Sequence, residues 1–400
     1  VRLAVISDLP HYRDDEGRLC TIEPVVNQLD SWAALFDEVV LCAPLDPGPP
    51  PAGFAPYRST DVRIEPVRKA GGNTKLAKLG LLAHVLPWAW RTRRVARQVD
   101  AVYLRCPSNV GLVAIFSTWR AVRYRYALYA GVWRGYVGEP RFYAMQRRLL
   151  GSPRFGGPVF VYASRRLDRP HLVPFFSSSF TRSDWQAGGA GFDRKLARIT
   201  GGEGGTAEDP WRLVAVGRLT PNKNQRVAVQ ALALMAADGV EAVLDVYGDG
   251  PERPRLERLA ADLDVADRVR FHGSVNHGEV MEAFAHCDLQ LLTTRQEGYG
   301  KVLLEGMLHG TVAVFSESPV ADEIAGGGGR GLVVPADDPA AVARAVEELT
   351  SDRARWASMA KAARDYTSGM TLDEFWRLVR DVLERQWGID LRLPASESAS

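Results

Sequence analysis

Short apolar runs alternate with helix-period stretches along nearly the whole chain. In the first half the runs fall at 3–7, 39–43, 62–67, 101–105, 127–131, 159–163 and 172–175. In the second half they recur at 213–217, 243–248, 269–273, 289–293, 312–315 and 332–335. Runs this short and uninterrupted predict strands buried on both faces, and the amphipathic segments between them predict crossover helices. The pattern, given twice, predicts an α/β chain of two doubly wound, Rossmann-like domains. Length agrees, since 400 residues are too many for one ordinary core. The expected division is 1–180 for an N-terminal domain and 181–370 for a C-terminal one. The joint is expected in 177–210, where Ser177-Ser178-Ser179 and Gly201-Gly202-Glu203-Gly204-Gly205 offer little to a core. A helix at 371–388 is expected to cross back onto the first domain, and 391–400 to be a disordered tail. Parallel sheets take ligands at the carboxyl ends of their strands, so two such domains facing across a cleft would hold one ligand each.

The most informative segment is Arg295-Gln296-Glu297-Gly298-Tyr299-Gly300-Lys301-Val302-Leu303-Leu304-Glu305-Gly306-Met307. A buried strand precedes it, and the apolar spacing from Val302 onward predicts a helix packed on a sheet. Gly298 and Gly300 then lie in a tight strand-to-helix turn, whose open N–H groups and positive helix end suit a phosphate. Glu297 in the loop and Glu305 about a turn inside the helix place hydroxyl acceptors on both sides of that anion site. A nucleotide-sugar has this arrangement of groups. An earlier loop, Gly217-Arg218-Leu219-Thr220-Pro221-Asn222-Lys223-Asn224, also joins a strand to a helix and carries two cations. Alone, such cations read as surface charge. Tyr247-Gly248-Asp249-Gly250-Pro251 and Phe271-His272-Gly273-Ser274-Val275 end the next two strands, so four successive strand ends carry loops of ligand-binding character.

As an ordered set these motifs resemble the carboxyl-terminal domain of the retaining, nucleotide-sugar-dependent glycosyltransferases of family 4, which have the two-domain GT-B fold. The resemblance runs from Val214 to Ala345 and includes Asp322-Glu323-Ile324 and Gly331-Leu332-Val333-Val334-Pro335. It implies that Arg218 and Lys223 hold the donor diphosphate, that Glu305 takes the ribose diol and that Glu297 holds hydroxyls of the donor sugar. Backbone groups of Gly300, Lys301 and Val302 would face sugar and phosphates, and those of Ser274 and Val275 would lie along the base. It further implies transfer to a hydroxyl acceptor with retention, by front-face attack in which the leaving phosphate takes the acceptor proton. Uridine diphosphate is the commonest donor class in the family.

No cofactor and no metal are expected, because Arg218, Lys223 and the helix start supply fixed positive potential where the leaving group gains charge. The one Asp-x-Asp, Asp262-Leu263-Asp264, falls in a helical connection. His309, a turn beyond Glu305, has no partner cluster and reads as a packed histidine.

The first half says less. Asp8-Leu9-Pro10-His11-Tyr12-Arg13-Asp14-Asp15-Glu16-Gly17 is an acidic loop where the family carries a Gly-Gly turn near the donor phosphate, which makes Gly17 a candidate phosphate contact. The loop lacks the Gly-x-Gly-x-x-Gly of a dinucleotide-binding dehydrogenase. Acceptor-side candidates are His11; Arg105, which pairs with either an acceptor anion or a buried carboxylate; and Trp133, either an acceptor platform or plain core. Where many family members place a histidine this chain has Gly131-Val132-Trp133-Arg134.

Charge sharpens the contrast between halves. Residues 1–180 hold 25 Lys and Arg against 14 Asp and Glu, and the remainder 25 against 34. The basic half fits an anionic partner or simply solvated arginine. Within it, 75–97 mixes leucine and tryptophan with Lys75, Lys78, Arg91, Arg93, Arg94 and Arg97. That segment reads first as an amphipathic helix covering the sheet and second as a peripheral membrane contact. No nucleic-acid reading motif accompanies the charge. Cys20, Cys42, Cys106 and Cys287 lack metal or disulfide spacing, and the chain opens on a strand-like run. The expected location is the cytoplasm, with the inner membrane face as the alternative. Two other readings stay open: an epimerase or phosphorylase on the same fold, and a silent nucleotide-sugar-binding subunit.

Overall fold

The computed structural model describes residues 1–23, 25–26, 29–30, 35–51, 53–59, 61–70, 75–133, 135, 139–162, 167–318 and 320–391, with the side chains of 75–79 left aside. The chain divides into two compact units, Val1–Phe176 with Phe375–Ser400, and Ser177–Glu374.

The first unit contains β1 (Arg2–Ile6), β2 (Tyr12–Arg13), β3 (Leu19–Ile22), β4 (Glu38–Cys42), β5 (Phe54–Pro56), β6 (Val62–Ile64), β7 (Ala101–Cys106), β8 (Tyr124–Tyr129), β9 (Val159–Tyr162) and β10 (Leu172–Phe175). Seven of them form a sheet in the order β10-β9-β8-β7-β1-β4-β6, with every pairing parallel. Its helices are α1 (Lys75–Ala96), α2 (Asn109–Ser117) and α3 (Arg141–Leu150). The sheet strands are apolar on both faces, as a sheet covered on both sides demands. The acidic loop after β1 is not open. It is a hairpin, β2 against β3, extended by β5 into a small antiparallel sheet.

The second unit holds α4 (Arg182–Ala187), α5 (Gly189–Thr200), β11 (Trp211–Val216), α6 (Arg226–Ala237), β12 (Ala242–Tyr247), α7 (Arg253–Asp262), β13 (Val269–Gly273) and α8 (His277–His286). It continues through β14 (Leu289–Leu292), α9 (Lys301–Leu308), β15 (Val312–Ser316), α10 (Ala321–Ala325), β16 (Gly331–Val334), α11 (Pro339–Ser351) and α12 (Arg353–Thr367). Its parallel sheet runs β13-β12-β11-β14-β15-β16, the doubly wound order in which winding reverses between β11 and β14. The segment expected as a core-poor joint is largely helical. Phe192 and Ile199 of α5 sit in the core cluster with Trp211 and Leu213, because apolar side chains at i and i+7 give that helix one buried stripe.

A last helix, α13 (Leu372–Trp387), starts in the second unit and lies from Phe375 onward in the first. Phe375, Val379, Val382 and Leu383 are buried along one stripe. Phe375 packs on Phe175 with ring centres 4.4 Å apart, and Trp387 stacks on Tyr124 at 4.9 Å. Leu391 is buried and donates its N–H to Glu384, and 392–400 lie outside the described residues. All four cysteines are free and buried. Among the described residues no helix is long and apolar enough to cross a membrane.

Candidate active site

Reversal of winding between β11 and β14 sends the loops after these strands in opposite directions, opening a crevice at their carboxyl ends. The loop after β11 carries Arg218 and Lys223, and the loop after β14 carries Glu297. The fold brings Lys223 Nζ to 2.6 Å from Glu297 Oε2. The other oxygen of Glu297 accepts the Gly298 N–H at 3.1 Å, so both are engaged. Arg218 stands exposed beside them in sequence, its guanidinium open to solvent.

Three residues that sequence reasoning left unassigned hold these loops together. Asn224, at φ 57°, donates from Nδ2 to Thr293 O at 3.3 Å and to Asp337 Oδ1 at 3.1 Å. Arg295 forks onto Asp337 and donates to Pro221 O at 2.9 Å. The Arg295 hydrogen bonds outweigh desolvation and, with bonds from Asn224 and Arg226, pull the Asp337 carboxyl down to about 2. One carboxylate thus ties the loops after β11, β14 and β16 to each other. In sequence, Asp337-Asp338-Pro339 reads only as a helix start, which hides this role.

At the start of α9, Gly300 is left-handed at φ 75°, and a Cβ there would lie 3.1 Å from Leu303 Cδ1. No side chain caps the helix, and its positive end, at Lys301 and Val302, faces the turn. Leu303, Leu304, Met307 and Leu308 are buried, and so is Glu305, at 6% exposure. Glu305 Oε1 accepts the Ser179 hydroxyl at 2.5 Å and His277 Nε2 at 3.1 Å. Burial alone would push its carboxyl up. The hydrogen bond and charge of His277, the Ser179 bond and the Lys301 charge hold it below its ordinary value. Glu305 is therefore a buried, fixed carboxylate rather than an exposed helical one. Neither Ser179 nor His277 was legible as its partner: one lies 126 residues away, the other 28.

Ser274 is exposed after β13, and Val275 is half-buried, lining a groove of about 760 Å³ along β12, β13 and α8. Tyr247 and His272 stack in that groove with ring centres 4.2 Å apart. His309 is buried as expected, and neither ring nitrogen has a hydrogen-bond partner among the described residues. Desolvation, with the charges of Lys195 and Arg364, drops its pKa to about 3. Asp262 ends α7 and Asp264 lies in the turn beyond it. Among the described residues no three His, Cys, Asp or Glu side chains group where they could hold a metal ion.

In the first unit the winding reverses between β1 and β7, and the corresponding strand ends carry Asp8 and Arg105. Burial raises the pKa of the Asp8 carboxyl, and its backbone bond and the charge of Arg105 oppose that rise. His11 is not an open side chain. It is 1% exposed, stacked on Tyr57, and its Nδ1–H donates to Leu9 O at 3.0 Å while Nε2 lies 2.9 Å from the Tyr57 hydroxyl. A carbonyl can only accept, so Nδ1 carries a hydrogen, and burial, which lowers the pKa to about 4, keeps the ring neutral with Nε2 as the acceptor. Gly17 sits at φ 77° in the hairpin turn, and its N–H is already donated to Asp14 O at 2.9 Å, so that group is not open to a phosphate. Trp133 packs edge-on against Tyr129 at 5.3 Å on the rim of the core, the plain-core reading rather than an open platform.

Comparison with known proteins bears on this geometry. Residues 202–366 match the family described as glycosyl transferases group 1. An exopolysaccharide phosphotransferase of Streptomyces coelicolor is 32% identical over 177 residues, 44% of this chain and 18% of that protein. A GDP-mannose-dependent alpha-(1-6)-phosphatidylinositol monomannoside mannosyltransferase of Mycobacterium tuberculosis is 34% identical over 163 residues, 39% of this chain and 42% of that one. The chain spans less than half the length of these curated relatives. The crystal structure of Anabaena HepE in complex with UDP overlays with a TM-score of 0.69 at 16% identity, over 96% of this chain and 100% of that one. That likeness is one of fold: two doubly wound Rossmann-like domains of the GT-B type.

Proposed function

We propose, from the match of residues 202–366 to the group 1 glycosyltransferases, that the protein moves a sugar from a nucleoside diphosphate sugar to a hydroxyl acceptor, with retention and without a divalent metal. The observation that carries this reading is the meeting of Lys223 and Glu297 at the β11–β14 reversal, 2.6 Å apart, on loops of which the second leads into the helix that carries the buried Glu305.

Each side chain then has a task. Glu305 Oε1 takes Ser179 and His277, and Oε2 can accept a hydroxyl of a vicinal diol, which a carboxylate kept ionised does without first losing a proton. Arg218 and Lys223 face the diphosphate, where negative charge grows as the bond to the anomeric carbon breaks. Removing one such fixed donor typically costs about 10²–10³ in rate. Lys223 and Glu297 touch each other, and the diphosphate and the sugar's hydroxyls would replace that contact with two separate ones. The acceptor oxygen bonds to the anomeric carbon on the face the diphosphate leaves, and its proton passes to the departing phosphate oxygen. The products are a glycoside and a nucleoside diphosphate.

HepE was solved with UDP and the mannosyltransferase relative is GDP-mannose-dependent, so both bases belong in the first test, with UDP the one expected here. Calorimetric titration, with and without EDTA, against uridine, guanosine and adenosine diphosphates and their sugars should give binding by one base, unchanged by the chelator. Glu305→Ala should abolish it. Failure of every nucleotide to bind would rule the transferase reading out.

A further inference from the structure

A second cavity of the second unit, about 280 Å³, is lined by Asn224, Gln225, Arg226, Glu252, Arg255 and Arg295 together with Thr220, Pro221 and Leu256. Arg218, Lys223, Glu297 and Glu305 do not line it, so it is distinct from the site described above. Asn224 and Gln225 are 3% and 5% exposed. Their partners fix the orientation of both amides. Asn224 Nδ2 donates to Thr293 O and Asp337 Oδ1, and Gln225 Nε2 donates to Arg218 O at 3.2 Å, all of them atoms that only accept. The amide oxygens, Asn224 Oδ1 and Gln225 Oε1, are thus buried acceptors, and neither has a hydrogen-bond partner among the described residues. A buried acceptor is costly to leave unmet, so the two call for donors from whatever the cavity holds.

The rest of the wall is positive. Arg226, Arg255 and Arg295 bring three guanidiniums to the cavity against one lining carboxylate, Glu252. Arg226 and Arg295 share the carboxylate of Asp337. Arg255 lies 3.6 Å from Glu252 with 69% of its side chain exposed, free to swing onto a ligand. Two helices also begin here. Gln225 precedes α6 and Glu252 precedes α7, and no side chain caps either helix. Helix starts carry positive partial charge, and two of them beside an excess of arginine favour a compact anion.

We propose that this cavity binds a small hydroxylated phosphomonoester, a sugar or polyol phosphate. Its phosphate would lie by the guanidiniums and helix starts, and its hydroxyls would donate to Asn224 Oδ1 and Gln225 Oε1. The two demands select the class together. An ammonium ligand would satisfy the carbonyls but face the arginines, and a carboxylate or phosphate without hydroxyls would leave the carbonyls unmet. The volume, at the low end of ligand pockets, suits a single sugar phosphate rather than a nucleotide-sugar. Through Gln225 the cavity shares a wall with the loop that carries Arg218 and Lys223. The inference stands on the cavity itself and does not depend on the transferase reading.

Calorimetric titration of the full chain, without nucleotide, tests it with glucose 6-phosphate, glycerol 3-phosphate, inorganic phosphate and glucose. Glucose 6-phosphate should bind with a Kd below about 1 mM. It should bind roughly tenfold tighter than inorganic phosphate, because its hydroxyls add two hydrogen bonds, with glycerol 3-phosphate between them and glucose not bound. Arg255→Glu should weaken the ester about tenfold or more while leaving circular dichroism and the thermal midpoint unchanged, since that side chain is exposed. Arg218→Ala, which alters the neighbouring loop, should leave ester binding intact. No saturable binding of either ester would overturn the proposal, as would inorganic phosphate binding as tightly as glucose 6-phosphate, or an Arg255→Glu variant that binds normally. Ester binding lost in Arg218→Ala and kept in Arg255→Glu would give the phosphate to the loop cations and overturn it as well. Nucleotide titration of the same protein tests the transferase reading separately, so either can fail without the other.

Discussion

The contact between Lys223 and Glu297 joins two residues 74 positions apart that the sequence places on separate loops. Either one alone is a surface charge, and together they set a cation and an acceptor within one ligand's reach. Glu297→Gln keeps the shape and removes the charge. Turnover should fall about 10²-fold or more, with nucleotide affinity little changed, because the interaction lost strengthens as the leaving group departs. Initial rates beside calorimetry separate the two, and near-normal turnover would reject the role. His277 acts at one remove, by holding Glu305. His277→Ala should weaken donor binding about tenfold with kcat largely kept, as expected for one hydrogen bond to a charged group. His277→Gln, which still offers an N–H, should recover part of the loss. The glutamates were legible from their spacing around a glycine turn. His277 was not, because the sequence around it announces a different job: Asn276 and Glu279 form a capping box for α8.

At the scale of elements, the loop Tyr247-Gly248-Asp249-Gly250 reads in sequence as one of ligand-binding character, yet the fold shows a nearer cause for its glycines. A Cβ on Gly248 would lie 2.1 Å from Gly217 O, backbone that cannot swing aside, and Gly248 itself is at φ 127°. The loops after β11 and β12 pack main chain on main chain, and Leu219 N–H donates to Asp249 O at 2.9 Å. Gly248→Ala should therefore destabilise the second unit by about 1–3 kcal/mol through overpacking and strain. Thermal unfolding should show a lower midpoint even with donor absent, whereas a glycine serving only the ligand would leave the unliganded midpoint unmoved. Parallel strands were legible because strands covered on both faces are buried along nearly their whole length and so read as near-continuous apolar runs, as in β7, β14 and β15. The β2–β3–β5 sheet was not. Tyr12 and Arg13 make a two-residue strand half open to water, and β5 joins it from more than thirty residues on. Helix α5 did leave a signal in Phe192, Lys195 and Ile199, three buried positions on one stripe, masked by the glycines around them.

For the molecule as a whole, acid sensitivity should be set first by histidines rather than by carboxylates. His11 in one unit and His309 in the other are buried and neutral, with pKa values lowered by desolvation from the ordinary 6.5 to about 4 and about 3. Between those values and 6.5 the unfolded chain binds a proton at each site that the folded chain does not. Stability must then rise with pH across this window: the contribution is complete above 6.5 and is lost as pH falls toward 4 and 3. Glu305 and Asp337, whose carboxyls are held below their ordinary values, add losses in the same direction only at lower pH. At pH 5 each buried histidine should already cost on the order of 2 kcal/mol relative to pH 7 and above. Denaturant midpoints measured at pH 7, 6 and 5 should fall stepwise. His309 has no hydrogen-bond partner among the described residues to lose, so His309→Leu should flatten the second unit's fall while leaving that of the first unit. The slope is the criterion, since the substitution can shift the midpoint at every pH. A slope unchanged in the variant would reject His309 as a source of the acid loss and mean that the nearby Glu305 carboxylate offsets burial and the charges of Lys195 and Arg364.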